Sequence, residues 1–354
     1  MDIKRVSTFP GFSNLEPVWN SLLTKAVTNT VFLTHEWASS WWNAYAGKRA
    51  LSILVLTDGD AVRAIAPLMV TDFKIFRRLA FIGNNRPDYC DFIVHKEYPA
   101  GYEVLLSYLY DDFTDWDEIV LESIPETSPL LAALEKKGSH FIVKKKVVDV
   151  CPYIRIDNDP ETVLQRIEKN QSLRRKINRL RKLGNITFRH YTELPEMEEA
   201  LASLLEAYLR RFDERKLRKR LPQELEFHRQ LLRQMYQKDA IRFGVLELEG
   251  RAIAQHFGFA YDGVYHWVRP AFDAAYAAYS PGSIILYHLI DYAVKNGFRE
   301  FDFLRGKEPF KTETTDHCRK VMIVKLYKSF AKSILCNVAT SLKRVLQGRA
   351  FRQT

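Results

Sequence analysis

The residues best suited to chemistry lie in two short stretches of the second half. Ser280-Pro281-Gly282-Ser283 runs into IILYHLIDYAVKNG, a helical pattern with a serine at the N-cap position and a proline at the first helical position. Gly282 and Ser283 leave that first turn free of bulk. Free N–H groups and the positive helix end make such a turn an anion site, and a pyrophosphate fits there. The same spacing also fits a capped helix that holds no ligand. In the second stretch, FREFDFLRGKEPFK, Asp302 sits inside an apolar strand that ends in Arg305-Gly306-Lys307-Glu308, with Lys311 following. An acid and several bases at a strand end are placed as functional loops often are. The alternative is an edge strand whose Asp302 pairs with Arg299 or Arg305.

Two basic clusters come next. Arg174, Arg175, Lys176, Arg179, Arg181 and Lys182 share a helix with the apolar stripe Leu173, Ile177 and Leu180. Arg210, Arg211, Arg215, Lys216, Arg218, Lys219 and Arg220 are diluted by Asp213 and Glu214. Both clusters suit phosphates, but solvated helix faces are the commoner reading. No RNP, KH or helix-turn-helix pattern accompanies them, so nucleic acid is possible as a partner but not favoured. His256 and His266 lie in strands, as bases or as satisfied core histidines. His35-Glu36 lacks a second histidine at the zincin spacing, and Walker, GxGxxG and GxSxG motifs are missing. Metal, nucleoside-triphosphate and serine-hydrolase chemistry therefore lose support.

The elements that must position these residues follow from size and pattern. A chain of 354 residues suits two domains at roughly 100 to 200 residues each. Hydrophobic residues at 47% supply two cores, and a net charge of +10 points to an anionic partner. Four cysteines without a CxxC pair fit reduced thiols. The N-terminus lacks the apolar stretch of a secretory signal, and no segment reaches the roughly 18 uncharged apolar residues of a membrane span. A cytoplasmic protein, at most peripheral to a membrane, is expected.

Along the chain, THEWASSWWNAYA reads as a helix capped by Thr34, and Asp58-Gly59 turns a hairpin. Strands, a helix over GYEVLLSYLYDDF, the strand DEIVLESI, a helix closed by Gly138 and the long strand HFIVKKKVVDVCPYIRI complete residues 1–150. Residues 151–354 open with two helices ending at Gly184. A strand follows, then helices over 194–217 and 222–237, a hairpin at Gly250, the helix 281–296, further strands and a C-terminal amphipathic helix. VLTDGDAVRAIA in the first half parallels VLELEGRAIA in the second, and each hairpin leads into strand, helix and strand. This pattern predicts an α/β (α+β) protein of two similar domains, each a mixed, mostly antiparallel sheet flanked by helices.

At this point a family likeness appears. LRRKINRLRKLG, AYLRRFDERK, VLELEGRAIAQHFGFAYDG and YSPGSIILYHLIDYAVKNGFREFDFLRGKEPFK, with FLTHEWASSWWNAY and RPDYCDFIV in the first half, resemble the tandem GNAT-like acetyltransferases of the cellulose-biosynthesis (CelD/BcsL) type, relatives of the Fem peptidoglycan transferases. The resemblance covers about residues 30 to 325. It implies two GNAT-like domains and an acyl-CoA donor, acetyl-CoA or another, with its pyrophosphate at Ser280, Pro281, Gly282 and Ser283. It also implies a small-molecule, saccharide or peptide acceptor near Arg305, Gly306, Lys307 and Lys311. Asp302, Glu308 and His266 are then base candidates in that order, and no metal is needed. Where the family often has Tyr-Lys this chain has Phe310-Lys311, and the usual phosphate loop with Arg or Gln and paired glycines is missing. A Fem-like enzyme using aminoacyl-tRNA and a silent relative that binds a partner or membrane surface are the other readings.

Overall fold

The computed structural model describes residues 1–83, 86–113, 115–137, 142–210 and 214–350. Gly138, Arg211, Asp213 and the first two residues of the expected long strand lie outside the described residues, as do the side chains of Arg215, Lys216 and Arg218. By its contacts the chain divides into two units. One holds Met1–Trp42, Ala46–Asp149 and the residues from Lys320 onward; the other holds Asn43–Tyr45 and Val150–Arg319.

The first unit begins with β1 (Asp2–Val6), α1 (Phe9–Ser13), α2 (Glu16–Leu23) and α3 (His35–Tyr45). Thr34 caps α3 as expected, its hydroxyl accepting the Trp37 N–H at 3.3 Å. Then come β2 (Arg49–Leu51), β3 (Ile53–Asp58), β4 (Ala61–Ala66), β5 (Leu68–Asp72), β6 (Arg77–Phe81), β7 (Ile93–Val94), α4 (Gly101–Asp111), β8 (Glu118–Pro125) and α5 (Pro129–Lys137). One sheet has the order β1-β3-β4-β7. β3 and β4 turn at Gly59, whose φ of 58° a Cβ would oppose. A further group pairs β2 with β5, β5 with β6, and β6 in parallel with β8. Leu54, Phe92, Leu105, Leu109, Ile119 and Leu121 form the core beneath α4 and α5.

The chain passes to the second unit through β9 (Ile142–Arg155), and α6 (Pro160–Glu168), α7 (Gln171–Arg181), β10 (Ile186–Tyr191) and α8 (Leu194–Arg210) follow. α9 (Glu214–Tyr236) is one helix that runs through Pro222, where the sequence suggests a break between two helices. Phe227, Leu231, Leu232 and Met235 of this helix are buried, and that packing outweighs the hydrogen bond lost at the proline. Next are β11 (Ile241–Leu248), β12 (Arg251–Tyr261), β13 (Val264–Phe272), α10 (Pro281–Lys295), β14 (Glu300–Asp302) and α11 (Pro309–Thr312). The sheet order is β10-β11-β12-β13-β14-β9, antiparallel throughout except for the β13–β14 pair. Its core is Leu246, Ile253, Tyr265, Phe301 and Phe303 under Ile284, Ile285 and Leu289 of α10. β15 (Cys318–Tyr327) and α12 (Phe330–Ala350) end the chain. Residues 320 onward, read from sequence with the second half, group with the first unit because Val321–Tyr327 pairs with β8.

With β5 and β6 of the first unit set aside as an insertion after its hairpin, the two units share a series of strand, hairpin, strand, helix and strand, and in each the last strand pairs with an antiparallel one, β15 from the end of the chain or β9 from the start of the second unit. β1-β3-β4-β7, α4, β8 and β15 in one correspond to β10-β11-β12-β13, α10, β14 and β9 in the other. The fold is thus α/β with mostly antiparallel sheets flanked by helices.

In the first unit a buried charged pair links the sheet to the terminal helix. Arg78 Nε lies 2.7 Å from Oε2 of the buried Glu118, its guanidinium covers the rings of Phe73 and Phe76, and Nη2 donates to Thr340 Oγ1 of α12 at 3.1 Å. Arg78→Ala strands the Glu118 carboxylate in the core. A loss of about 3 kcal/mol is expected from a buried pair broken on one side. Thermal denaturation of both proteins measures it, and an unchanged midpoint would contradict the role given to this pair.

Candidate functional site

β13 and β14 run side by side for only three residues, Val264, Tyr265 and His266 opposite Glu300, Phe301 and Asp302. β14 then ends, while β13 continues to Phe272. Just past the last pair, β13 bulges: Phe257 faces Arg269 and Phe259 faces His266, so Gly258 alone opposes Trp267 and Val268. A Cβ on Gly258 would stand 2.3 Å from His256 Cε1 and 2.5 Å from the His266 carbonyl oxygen, so the bulge needs glycine there. The Val268 N–H donates to His256 Nε2 at 3.2 Å. That nitrogen is therefore the acceptor, and the ring proton sits on Nδ1, 3.4 Å from the Tyr265 hydroxyl. The result is a strand whose stretch from Trp267 to Phe272 has no β14 residue beside it.

β13 leads through a short 3₁₀ turn to α10. Ser280 occupies the cap position with a left-handed φ of 56°, and its side chain makes no capping bond, in contrast to the sequence reading. Its carbonyl instead takes the amides of Ser283 and Ile284 at 3.0 and 3.3 Å. Pro281 has no N–H, so Gly282 carries the amide of this turn that is left without a partner among the described residues. Gly282 packs towards β13, a Cβ there falling 3.3 Å from Phe272 Cδ1. Lys176 of α7 reaches the turn, its Nζ 3.3 Å from Ser283 Oγ, and Arg179 covers the Tyr279 ring. The basic helix and the SPGS turn, two separate signals in the sequence, are thus neighbours. Sequence spacing contains no sign of this, because the two residues are 107 positions apart.

The acidic group is built differently. Asp302, buried, accepts the Leu304 N–H at 2.7 Å and Arg319 Nη1 at 3.0 Å. Arg319 also holds Glu300 and stacks 3.9 Å above the Tyr153 ring. Asp302 therefore pairs with Arg319, a residue that the local spacing does not signal. Register places His266, also buried, beside Asp302. Beyond them the chain turns through Leu304 at a strained φ of 60° and Gly306 at 129°. Lys311, buried, donates to the Arg305 carbonyl at 2.7 Å and pairs with Glu308 at 3.0 Å, so Arg305, Gly306, Glu308 and Lys311 form one knot. Lys307 and Glu308 are exposed. β13 runs six residues, or roughly 20 Å, past His266 to Phe272, and Gly282 of the SPGS turn packs against that end.

A cavity of about 610 Å³ adjoins Phe272 on the α8 side of the sheet. Its polar walls are already matched: Ser203 with Gln255, Arg251 with Asp273 and Arg210 with Glu206. In α10 and on the strands it covers, burial disfavours the charged form of three histidines. Burial, with a smaller effect from the Arg242 charge, pushes His190 down to about 4, while His288, stacked on Phe188, and His256, stacked on Trp267, are lowered by burial first. Among the described residues no group of three or more His, Cys, Asp or Glu is placed to hold a metal, and no helix is long and apolar enough to cross a membrane.

Residues 168–312, which include β13, the turn, α10 and the Lys311 knot, match the family described as acetyltransferase (GNAT) domain. No curated protein sequence matches the chain. Among solved structures the chain is similar to FemX, with 9% identity and a TM-score of 0.63 over 92% of this chain and 97% of that one. It is also similar to the C-terminal domain of a putative lysylphosphatidylglycerol synthetase from Agrobacterium fabrum, with 10% identity and a TM-score of 0.56 over 94% and 96%. L-PGS from Bacillus licheniformis gives 12% identity and a TM-score of 0.52 over 89% and 96%. At these identities the likeness is one of fold. Residues 168–312 thus share the sequence pattern of an acetyltransferase (GNAT) domain.

The depressed His190 has a thermodynamic consequence. An unfolded histidine binds its proton near pH 6.5 and the folded one only near 4, so stability is full above about 6.5 and falls as pH drops towards 4. The loss for this group reaches about 3 kcal/mol below pH 4. Urea denaturation of wild type and His190→Phe over pH 4 to 7 isolates it. The wild-type midpoint should fall more steeply than the variant's, and parallel curves would show that His190 is not held neutral.

Proposed function

We propose that the chain is an acyltransferase, moving an acetyl or other acyl group from acyl-CoA to an amine or hydroxyl acceptor. The observation that carries this reading is the parting of β13 from β14 with a cationic helix turn at its far end. The diphosphate of the donor lies at Ser280–Ser283, against the Gly282 amide, the Ser283 hydroxyl and Lys176. The rest of the donor runs back along Trp267–Phe272, which brings the thioester towards His266 and Asp302 about six residues away.

In this mechanism the acceptor is held beside the thioester, which removes most of the entropic cost of bringing the two together. Its nitrogen or oxygen attacks the thioester carbonyl, a base takes the acceptor proton, and the tetrahedral intermediate collapses with coenzyme A leaving as the thiolate. The Val268 amide is engaged by His256, so the donor to the oxyanion comes from elsewhere on the open stretch of β13. The base is drawn from Asp302, Glu308 and His266. Arg319 and the Leu304 amide fix the Asp302 carboxyl in place beside His266, which suits it to orient that ring. The loop of half-buried Arg305 and exposed Lys307 and Glu308 receives the acceptor, and Lys311 holds that loop in shape. The sequence likeness to cellulose-biosynthesis acetyltransferases supports a saccharide or peptide acceptor in cell-envelope metabolism.

A second reading has support in the placement of α7. A Fem-like transferase would take its acyl group from aminoacyl-tRNA, with Arg174, Arg175 and Lys176 on the RNA backbone, and the fold likeness to FemX and to lysylphosphatidylglycerol synthetase agrees with it. Its mark is tRNA binding that weakens steeply with salt.

Gly282→Val is a poor test, because the added branch meets Phe272 whether or not a ligand is present. Ser283→Asp and Lys176→Glu change only the charge presented to the donor. Each should weaken acetyl-CoA binding by more than about tenfold, or ~1.4 kcal/mol, in calorimetric titration, with circular dichroism unchanged. Equal affinities in folded proteins would remove the donor from this turn. Salt-sensitive tRNA binding lost in both variants, with no acyl-CoA binding in the wild type, would establish the second reading instead.

A further inference from the structure

α12 is inverted for a helix packed on a soluble protein. The side it packs inward carries Ser333, Cys336, Asn337, Ala339 and Thr340, where Cys336 and Ala339 meet Phe73, Phe76 and Tyr327, and where Asn337 accepts from the Tyr327 hydroxyl and Thr340 from Arg78. The side it turns outward is apolar: Phe330 is 71% exposed, Ile334 50%, Leu335 40% and Val338 52%. Phe330, Ile334 and Val338 recur every four residues, so they form one continuous stripe. Ordinary amphipathic helices bury such a stripe. Ile75, at the tip of the turn that carries Phe73 and Phe76, is 59% exposed and has Lys74 beside it.

Charge decides what this surface meets. From Phe330 to the end the sequence contains Lys332, Lys343, Arg344, Arg349 and Arg352 and no Asp or Glu. The acids near the start of α12 are already matched, Asp117 with Lys332 at 2.7 Å and Asp72 and Asp115 with Arg77. An apolar stripe on a purely basic segment fits a surface that offers hydrocarbon beneath negative charge. A second copy would bring like charges together around the same stripe, and RNA has no use for a row of aliphatic side chains.

We propose that α12, with the Ile75 turn, docks the protein on an anionic lipid surface, lying in the headgroup plane with Phe330, Ile334 and Val338 directed into the acyl boundary. Attachment is peripheral and reversible, through partial burial of one helix face and attraction to acidic headgroups. It holds whichever acyl donor the second unit uses.

Flotation of the full chain with two kinds of vesicle tests this: phosphatidylcholine alone, and phosphatidylcholine mixed one to one with phosphatidylglycerol. Binding is expected to the mixed vesicles only, to fall by about tenfold or more in Ile334→Glu/Val338→Glu, and to weaken in high salt. Phe330→Glu is the second variant, since that side chain is the most exposed, and thermal melting verifies that each variant is folded. Flotation with neither vesicle overturns the proposal, as does equal flotation with both, or binding that folded variants retain. Self-association abolished by the same variants, without vesicle binding, would assign the stripe to a second copy. Loss of vesicle binding on adding tRNA, with flotation insensitive to both variants, would assign the basic charge to RNA.

Discussion

The three-residue pairing of β13 with β14 is the constraint on which the second unit depends. A longer pairing would satisfy the backbone of Trp267–Phe272 within the sheet and close the edge to any ligand. The bulge opposite Gly258 ends the pairing: it adds a residue to β13, turns the strand, and is locked by the bond from the Val268 amide to His256. Two features elsewhere follow from that opening. The helix α10 begins where β13 finishes, so its turn faces the end of the open stretch, and the acids of β14 finish where the opening begins.

What holds these parts in place is mostly apolar packing, with polar groups satisfied locally. Tyr265 and Phe301 stack in parallel with centroids 5.0 Å apart, joining β13 to β14 at the middle of their three pairs. Above them α10 covers the sheet with Ile284, Ile285 and Leu289, where burial lowers the pKa of the strand histidines His190 and His256. The charged side chains of the region are tied in two separate sets, Arg319 with Glu300 and Asp302, and Lys311 with Glu308 and the Arg305 carbonyl. Such fixed sets orient groups for chemistry at little cost in reorganisation.

Much of the fold was legible in the sequence because it rests on local signals. The Thr34 cap, the Gly59 and Gly250 turns and the helices α4, α7 and α10 follow from capping residues, positive-φ glycines and apolar periodicity. Pro222 misled, since local preference for a break lost to burial of the helix on either side. The return of β15 to the first unit was not legible, because strand pairing between residues about 200 positions apart leaves no mark on spacing. The same holds for the candidate site. Its individual residues were visible as types in a pattern, but the contact of Lys176 with Ser283 and that of Arg319 with Asp302 depend on which faces the sheet brings together.

The central claim is that an acyl-CoA diphosphate sits on the turn before α10. A crystal structure of the chain grown with acetyl-CoA tests it most directly. The expected result is diphosphate density within hydrogen-bonding distance of the Gly282 amide and Lys176 Nζ, with the pantetheine arm lying along Trp267–Phe272. Diphosphate bound at another place in the unit, or a pantetheine arm outside the gap between β13 and β14, would contradict it.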